Sequence, residues 1–443
     1  MNYGYNKLII YEFKIEAVSS IYFGASNKGE LIKDSKNNPI LFGNSIGGAL
    51  RNYLEESEVS QDIIYKYLGG NQNEKFLESI IYISDGEINP TDKIHTKEGT
   101  RINHTSGSAE KNHKYTIEYL SKGSTIIFKV ECEVEDKCSE EIFNKIIGTL
   151  QKGFKNERIK LGGQQNNGFG EFKLNELRRM EHTFNTQNDL DEYIFSSNEM
   201  DSKLVEEGLP SYENKGKNQI NFSLKGKFPY GIYQGFRYDK NGQLTGLQKL
   251  EDKYYLPATS FKGLVKNEIR ILLSKFLQNE SNISKKLDEI FGDQKSKGKI
   301  LFSDIVLENS GIIKTKRFNK DSGEKISEES IYIKVDRLTG DTIDGAMRKQ
   351  VEVYGNATLE CKLMDCDQDE NPYIFPLIYV FKRIGEGIVP LGGRTSIGLG
   401  QFYGTKLKLS ESIKDTFIIN ELSSEQIEKI KEYYNFFESW CRQ

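Results

Sequence analysis

Nothing in this sequence is apolar for long enough to cross a membrane as a helix. The longest hydrophobic runs have the length of short strands, far below the roughly 18 residues such a span needs. The opening MNYGYNKLIIYEFKIEA lacks a basic segment, an apolar core and a small-residue cleavage site. It reads as a strand that begins almost at once, and the protein is expected in the cytoplasm. Cysteine is scarce, with five in 443 residues. Cys132/Cys138 and Cys361/Cys366 form close pairs, and Cys441 stands alone. Neither spacing is the two-residue knuckle of a zinc ribbon, and no histidine stands beside either pair, so reduced thiols are expected over zinc. An excess of positive charge is missing too. A net charge of −4 argues against indiscriminate adhesion to nucleic acid, which needs a broad basic surface. A local basic groove stays open.

What is present describes a globular chain, with 37% hydrophobic and 28% charged residues and no bias towards disorder. Its length exceeds one ordinary core, so two domains are expected. The 25 Phe and 24 Tyr are mostly core residues, with base stacking as their other use.

The chain repeats itself. LGGQQNNGFGEF (Leu161 to Phe172) returns without a gap as LGGRTSIGLGQF (Leu391 to Phe402). Three further pairs follow in the same order. PILFGNSIGGALRNYL (from Pro39) matches YYLPATSFKGLVKNEIRILL (from Tyr254), each a short strand, a small-polar turn and a helix. Ile46, Ala49, Leu50 and Tyr53 form a helical stripe, as do Phe261, Leu264, Val265 and Ile269. Asn44/Ser45 and Thr259/Ser260 are the expected N-caps. Strands carrying Ser-Asp recur at Asp85 and Asp304. Asn103-His104-Thr105-Ser106-Gly107 corresponds to Asp336-Arg337-Leu338-Thr339-Gly340, followed each time by a strand, a turn glycine (Gly123, Gly355) and a strand. The offsets of 215, 219, 233 and 230 residues differ only by what loop insertions would give.

Residues 1–176 and 219–408 are therefore expected as two domains, with a polar linker at 177–218 and a helical tail at 409–443. The tail stripe of Ile427, Ile430, Tyr434 and Phe437 is expected to pack on its own domain. Each half alternates strands and helices as a split βαβ, ferredoxin-like or RRM-like α+β domain does.

The glycine loop lacks the Gly-Lys-Ser/Thr ending of a nucleotide loop, and strand-like sequence follows it. It is either a tight structural turn or a place where backbone amides approach an extended polyanion. Lys160 and Arg394 would add charge there. The helix starts, with Arg51 and Lys262 in their first turns, are a second place for an anion, or else ordinary capped helices.

Taken together, these residues resemble the RAMP superfamily of CRISPR-associated proteins, in particular the backbone-subunit branch of type III RNA-guided effector complexes. In that family a Pro-Gly-Ser-Ser-x-Lys-Gly turn precedes the first helix. PATSFKG (Pro257 to Gly263) is similar and FGNSIGG (Phe42 to Gly48) is a degenerate copy. The family's Asp-Arg-x-Thr-Gly is intact at Asp336, Arg337, Thr339 and Gly340, and eroded at Asn103, His104, Ser106 and Gly107. Its glycine loop is matched at Gly162, Gly163, Gly168 and Gly170, and again at Gly392, Gly393, Gly398 and Gly400.

The resemblance implies an RRM-like palm in each domain, with inserted finger hairpins that grip and kink a guide RNA (crRNA). Contacts to phosphate and sugar would accept any guide, with base pairing to the target RNA supplying specificity. The partners it implies are that guide, the target RNA and the other CRISPR effector subunits.

Relatives of this branch cut target RNA with a loop aspartate and a divalent metal such as Mg²⁺. In the first domain that position falls near Asn27 or Lys28; Glu30 is the nearest acid, and Asp34 looks like a turn residue. In the second, Asp239 is available, while Glu251 and Asp252 sit where a turn is expected. The first domain is expected to be inactive, and Asp239 is the candidate of the second. A metal-free guide-processing nuclease, with His104 or His113 as acid or base, and an adaptor without RNA contact are the other readings, although His104 occupies the slot of Arg337, which points to a guide-contacting role instead.

Overall fold

The computed structural model describes residues 7–24, 29–57, 59–72, 75–102, 109–134, 139–195, 203–205, 208–212, 219–238, 244–247, 249–250, 252–293, 296–319, 323–328, 330–364, 371–411, 413–419 and 421–443. The chain forms two units, Met1–Gly216 and Lys217–Gln443.

In the first unit, β1 (Lys7–Ala17) leads to helices α1 (Gly43–Glu56) and α2 (Gln61–Leu68), then to β2 (Gly86–Asn89). Strand β3 (Thr125–Val134), helix α3 (Glu140–Lys155) and strand β4 (Phe172–Thr183) complete it. The spatial order β4-β1-β3-β2, with antiparallel pairings, is the ferredoxin-like arrangement. Ile9, Tyr11, Phe13 and Ile15 alternate along β1 into a core shared with Ile46, Leu50 and Tyr53 of α1 and Phe143, Ile147 and Phe154 of α3. Acids in the first turn of α3 and lysines in its last complement the helix dipole. A hairpin, His95–Ile102 with Ala109–Tyr119, projects between β2 and β3. Its tip, which includes His104, lies outside the described residues.

Described residues of the stretch expected as a linker are tied to this unit instead. Strand β4 runs on to Thr183, Val205 N–H donates to Leu177 O at 2.9 Å, and Tyr212 N–H donates to Thr149 Oγ1 at 3.1 Å. Leu209 and Tyr212 pack against the core. Other apolar residues of that stretch, among them Leu190, Ile194, Phe195 and Leu204, stay exposed.

The second unit repeats the plan with β5 (Ile220–Gln234), α4 (Ala258–Leu273), α5 (Glu280–Phe291), β6 (Ile305–Ile312), β7 (Arg348–Leu363), α6 (Ile374–Gly385) and β8 (Tyr403–Glu411). The order β8-β5-β7-β6 is again ferredoxin-like. Gly355 lies inside β7 and not at a turn; a Cβ there would come within 3.0 Å of the Ser310 Cβ. Finger hairpins fill the segment between β6 and β7. Helix α7 (Ser424–Arg442) opens on a capping box of Ser423 and Gln426 and sends Tyr433, Phe437 and Trp440 into the core of its own unit. Phe437 meets Phe276, and Trp440 meets Tyr373, each with ring centroids 5.4 Å apart.

Among the described residues no helix is long and apolar enough to cross a membrane. Cys361 and Cys441 are free and buried, whereas Cys132 is disulfide-bonded, which corrects the expectation of reduced thiols throughout.

Candidate nucleic-acid interface

The two glycine loops fold alike. In each, a residue with left-handed backbone (Gln164, φ 59°; Arg394, φ 61°) enters a single 3₁₀ turn and a left-handed glycine leaves it. A clasp closes both: Leu161 N–H donates to Gly170 O at 3.0 Å, and Leu391 N–H to Gly400 O at 2.8 Å. Gly170 and Gly400 are held at φ 80° and 86°, and a Cβ on either would lie 2.2 or 2.1 Å from the leucine carbonyl oxygen. Those two glycines are architectural.

The loops differ in what they offer. In the first, Gln165 Nε2 donates to Gly162 O at 2.9 Å, and Gly163 N–H donates to Tyr22 O at 2.9 Å. Lys160 is paired with Glu171 at 2.7 Å and is largely withdrawn from solvent. This copy is closed on itself. In the second, Gly393 and Arg394 are exposed, and the Arg394 guanidinium lies 5.6 Å from the centroid of the Tyr233 ring. The guanidinium beside that ring has no hydrogen-bond acceptor among the described residues, so its N–H groups are available to a ligand.

The helix starts carry a correction. Neither Asn44/Ser45 nor Thr259/Ser260 caps; α1 and α4 begin earlier, at Gly43 and Ala258, after Phe42 and Pro257. Each first amide is instead held by the aspartate of the repeated Ser-Asp pair: Gly43 N–H donates to Asp85 Oδ1 at 2.7 Å, and Ala258 N–H to Asp304 Oδ1 at 2.6 Å. A carboxylate therefore already sits where an anion was expected, and a phosphate would meet like charge there.

The basic residues expected at the helix starts divide in the same way, with Arg51 in the third turn of α1. Arg51 Nη2 donates to Leu68 O and Gly69 O, both at 2.7 Å, and so closes the C-terminus of α2. Lys262 has no partner among the described residues and is half-buried. Burial, with the Lys266 ammonium adding to it, pushes its pKa below the ordinary lysine value. A desolvated ammonium without a counter-ion favours an incoming anion. Its counterpart in the first unit is Gly47, where a groove of about 370 Å³ opens, lined by Gly43, Asn44, Gly47, Gly48 and Arg51 among others.

Asp336 to Gly340 form the tip of a finger. Asp336 Oδ1 accepts from Leu338 N–H at 2.8 Å and Thr339 N–H at 3.0 Å, and Gly340 N–H returns to Asp336 O at 2.9 Å with φ 76°. Hydrogen bonds from Thr339 and Leu338 hold the Asp336 carboxyl below its usual range. The pattern is thus a self-braced turn in which Arg337, Leu338, Thr339 and Gly340 are exposed. Ile333, Val335 and Met347 on the same finger are also exposed.

Of the two candidate catalytic acids, Glu30 is exposed and Asp239 lies outside the described residues. No group of three His, Cys, Asp or Glu among the described residues is arranged to hold a metal. Asp34 and Asp252 are turn residues as expected: Asp34 Oδ1 accepts from Lys36 and Asn38 N–H at 2.8 Å, and Asp252 has φ 60°. His95 Nε2 lies 2.6 Å from Asp92 Oδ2 at the base of the first hairpin.

A search of curated proteins finds no match to the chain. A family model described as RAMPs, RAMP superfamily, matches residues 14–173 and 241–403. These two regions hold both glycine loops, the helices α1 to α6 and the strands β2, β3, β6 and β7, while β5 lies outside them. With the duplicated clasp and the repeated helix start in register, the chain belongs to the RAMP superfamily of CRISPR-associated RNA-binding proteins.

Proposed function

We propose that this protein is the guide-RNA-binding backbone subunit of a type III CRISPR antiviral effector complex, acting in the cytoplasm. Its two domains would occupy two consecutive positions along one guide, beside other effector subunits. The observation that carries this reading is the second glycine loop, which presents Arg394 from a left-handed backbone onto Tyr233 and leaves Gly393 open. Arg337 on the finger and Lys262, unpaired among the described residues, supply two further cations. These contacts suit phosphates and not bases, as a reader of any guide sequence requires. The first unit keeps the frame, but Lys160 and Arg51 are committed within the protein. Its contribution to the grip is correspondingly smaller.

The test is co-purification with the assembled complex. A bound RNA of discrete length is expected, and it should be lost or much reduced when Arg394, Arg337 and Lys262 are replaced together by Ala in a chain that still melts cooperatively. Wild-type complex that carries no RNA sinks the proposal. Metal-dependent cleavage of a matched target, abolished by Asp239→Ala, would make the second domain a nuclease as well.

A further inference from the structure

Glu352 stands apart from the residues used so far. It lies on β7 between Val351 and Val353, whose side chains enter the core, so it points to the sheet face that turns away from the helices. It is only 7% exposed, and no lysine or arginine among the described residues pairs with it. Two donors fix one of its oxygens. Tyr332 Oη–H and Gln350 Nε2–H both donate to Oε1 at 2.6 Å, from the base of the finger and from β7. Gln350 is itself 2% exposed. The carboxylate is therefore held in one orientation. Its other oxygen, Oε2, accepts from no described group and is not sealed from solvent.

Across the ladder Glu352 is paired with Tyr233 of β5. That ring carries the Arg394 guanidinium at 5.6 Å, and a Cβ on Gly393 would meet it at 3.3 Å. The glycine loop and Glu352 thus meet at one tyrosine, and the finger base is tied to it through Glu352. A carboxylate without a cation is costly to keep at a site that attracts phosphate, because it repels the same ligand. The pair makes sense for a ligand that brings an anion to Arg394 and a neutral O–H donor to Oε2. One RNA nucleotide carries both, a phosphate and a ribose 2′-hydroxyl. DNA carries only the first.

We propose that Glu352, oriented by Tyr332 and Gln350, accepts a hydrogen bond from a ribose 2′-hydroxyl and makes this protein select RNA over sugars that lack the donor. The proposal rests on the RNA-binding reading above and extends it from charge to sugar chemistry. Glu352 is a specificity residue, and Tyr332 and Gln350 are positioning residues that act through it.

The experiment measures binding of the full chain to one single-stranded sequence made with ribose, and made again with 2′-fluoro sugars, which keep the RNA-like pucker but cannot donate. A hydrogen bond to a charged acceptor corresponds to a preference of about tenfold or more for ribose in the wild type. Glu352→Gln is expected to retain the fold and reduce that preference to about threefold or less. Tyr332→Phe, which frees Oε1, should reduce it partly. Equal weakening on both strands by Glu352→Gln would make Glu352 a structural keystone only and overturn the proposal. Equal binding of both strands by the wild type would also overturn it, while leaving the RNA-binding reading intact. A wild type that binds neither strand removes both readings. A preference that follows base identity when the sequence is changed would assign Oε2 to a base N–H and overturn the sugar assignment.

Discussion

Asp304 and Ala258 are joined by a 2.6 Å hydrogen bond that ties the turn before β6 to the first amide of α4. The carboxylate thereby fills the positive end of the helix from outside its own sequence. Replacing Asp304 with Ala should cost about 1 kcal/mol, the usual loss at a helix cap. It should also remove a negative charge from the positive end of α4, where a phosphate would meet like charge, so RNA affinity should rise slightly while thermal stability falls. Melting curves and filter binding at low salt report the two effects separately. Loss of affinity in a folded variant would mean that the aspartate itself takes part in binding.

The glycines of the second loop should separate into two classes. Gly400→Ala drives a Cβ to 2.1 Å from Leu391 O in a left-handed backbone, so it should open the clasp and lower the melting temperature clearly. At Gly393 no positive φ is required and the nearest atom is Tyr233 Cδ1 at 3.3 Å. A bulky side chain there should leave the protein folded and reduce guide retention by covering the approach to Arg394. Unchanged retention would make this loop purely structural.

Lys262 yields a pH dependence. Desolvation, reinforced by Lys266, lowers its pKa in the free protein, and a bound phosphate would raise it again. Binding then takes up a proton once the pH passes the lowered value. RNA affinity should therefore fall as pH rises through that window, below the ordinary lysine range, and Lys262→Met should abolish this part of the dependence. The same substitution should stabilise the free protein at neutral pH, because it removes a desolvated charge without a partner. Destabilisation would show that the ammonium has a structural role.

Glu140 supplies an acid-sensitive tie in the first unit. The hydrogen bond from Lys7, with the added charge of Lys7 and Arg179, holds its pKa below the usual carboxylate value. A lowered carboxylate pKa contributes stability that is fully present above the unfolded value and is lost as pH falls through the folded one. Glu140→Gln should accordingly lower the melting temperature at pH 7 and have little effect near pH 3. An equal effect at both pH values would indicate packing and not charge.

Much of the architecture was legible because duplication marks its own register. The stripe Ile46, Leu50, Tyr53 and its partner Phe261, Val265, Ile269 are buried as the helical period requires. The Ser-Asp pair was visible as a repeat, yet its purpose was not. Capping rules look to the residue just before a helix, whereas Asp85 and Asp304 reach the helix starts from over forty residues away. Lys160 and Arg51 looked like free cations because their partners, Glu171 and two main-chain carbonyls, are fixed by tertiary folding. Glu352 gave no signal at all. In KQVEVYGNATLEC it is one more polar residue of an alternating strand, and only the finger folding back to Tyr332 distinguishes it.

The docking of α7 bears on the order in which the chain can mature during synthesis. The first sheet has all its strands, and the segment at 208–212 that packs on α3, before β5 is made. The second unit must wait, because Tyr433, Phe437 and Trp440 belong to its core and are translated after everything they cover. Until then Phe276, Tyr373 and Phe375 lack the rings that α7 packs against them. A ribosome paused before Ser424 would therefore carry one finished domain and one with an open aromatic face, the species most in need of a chaperone.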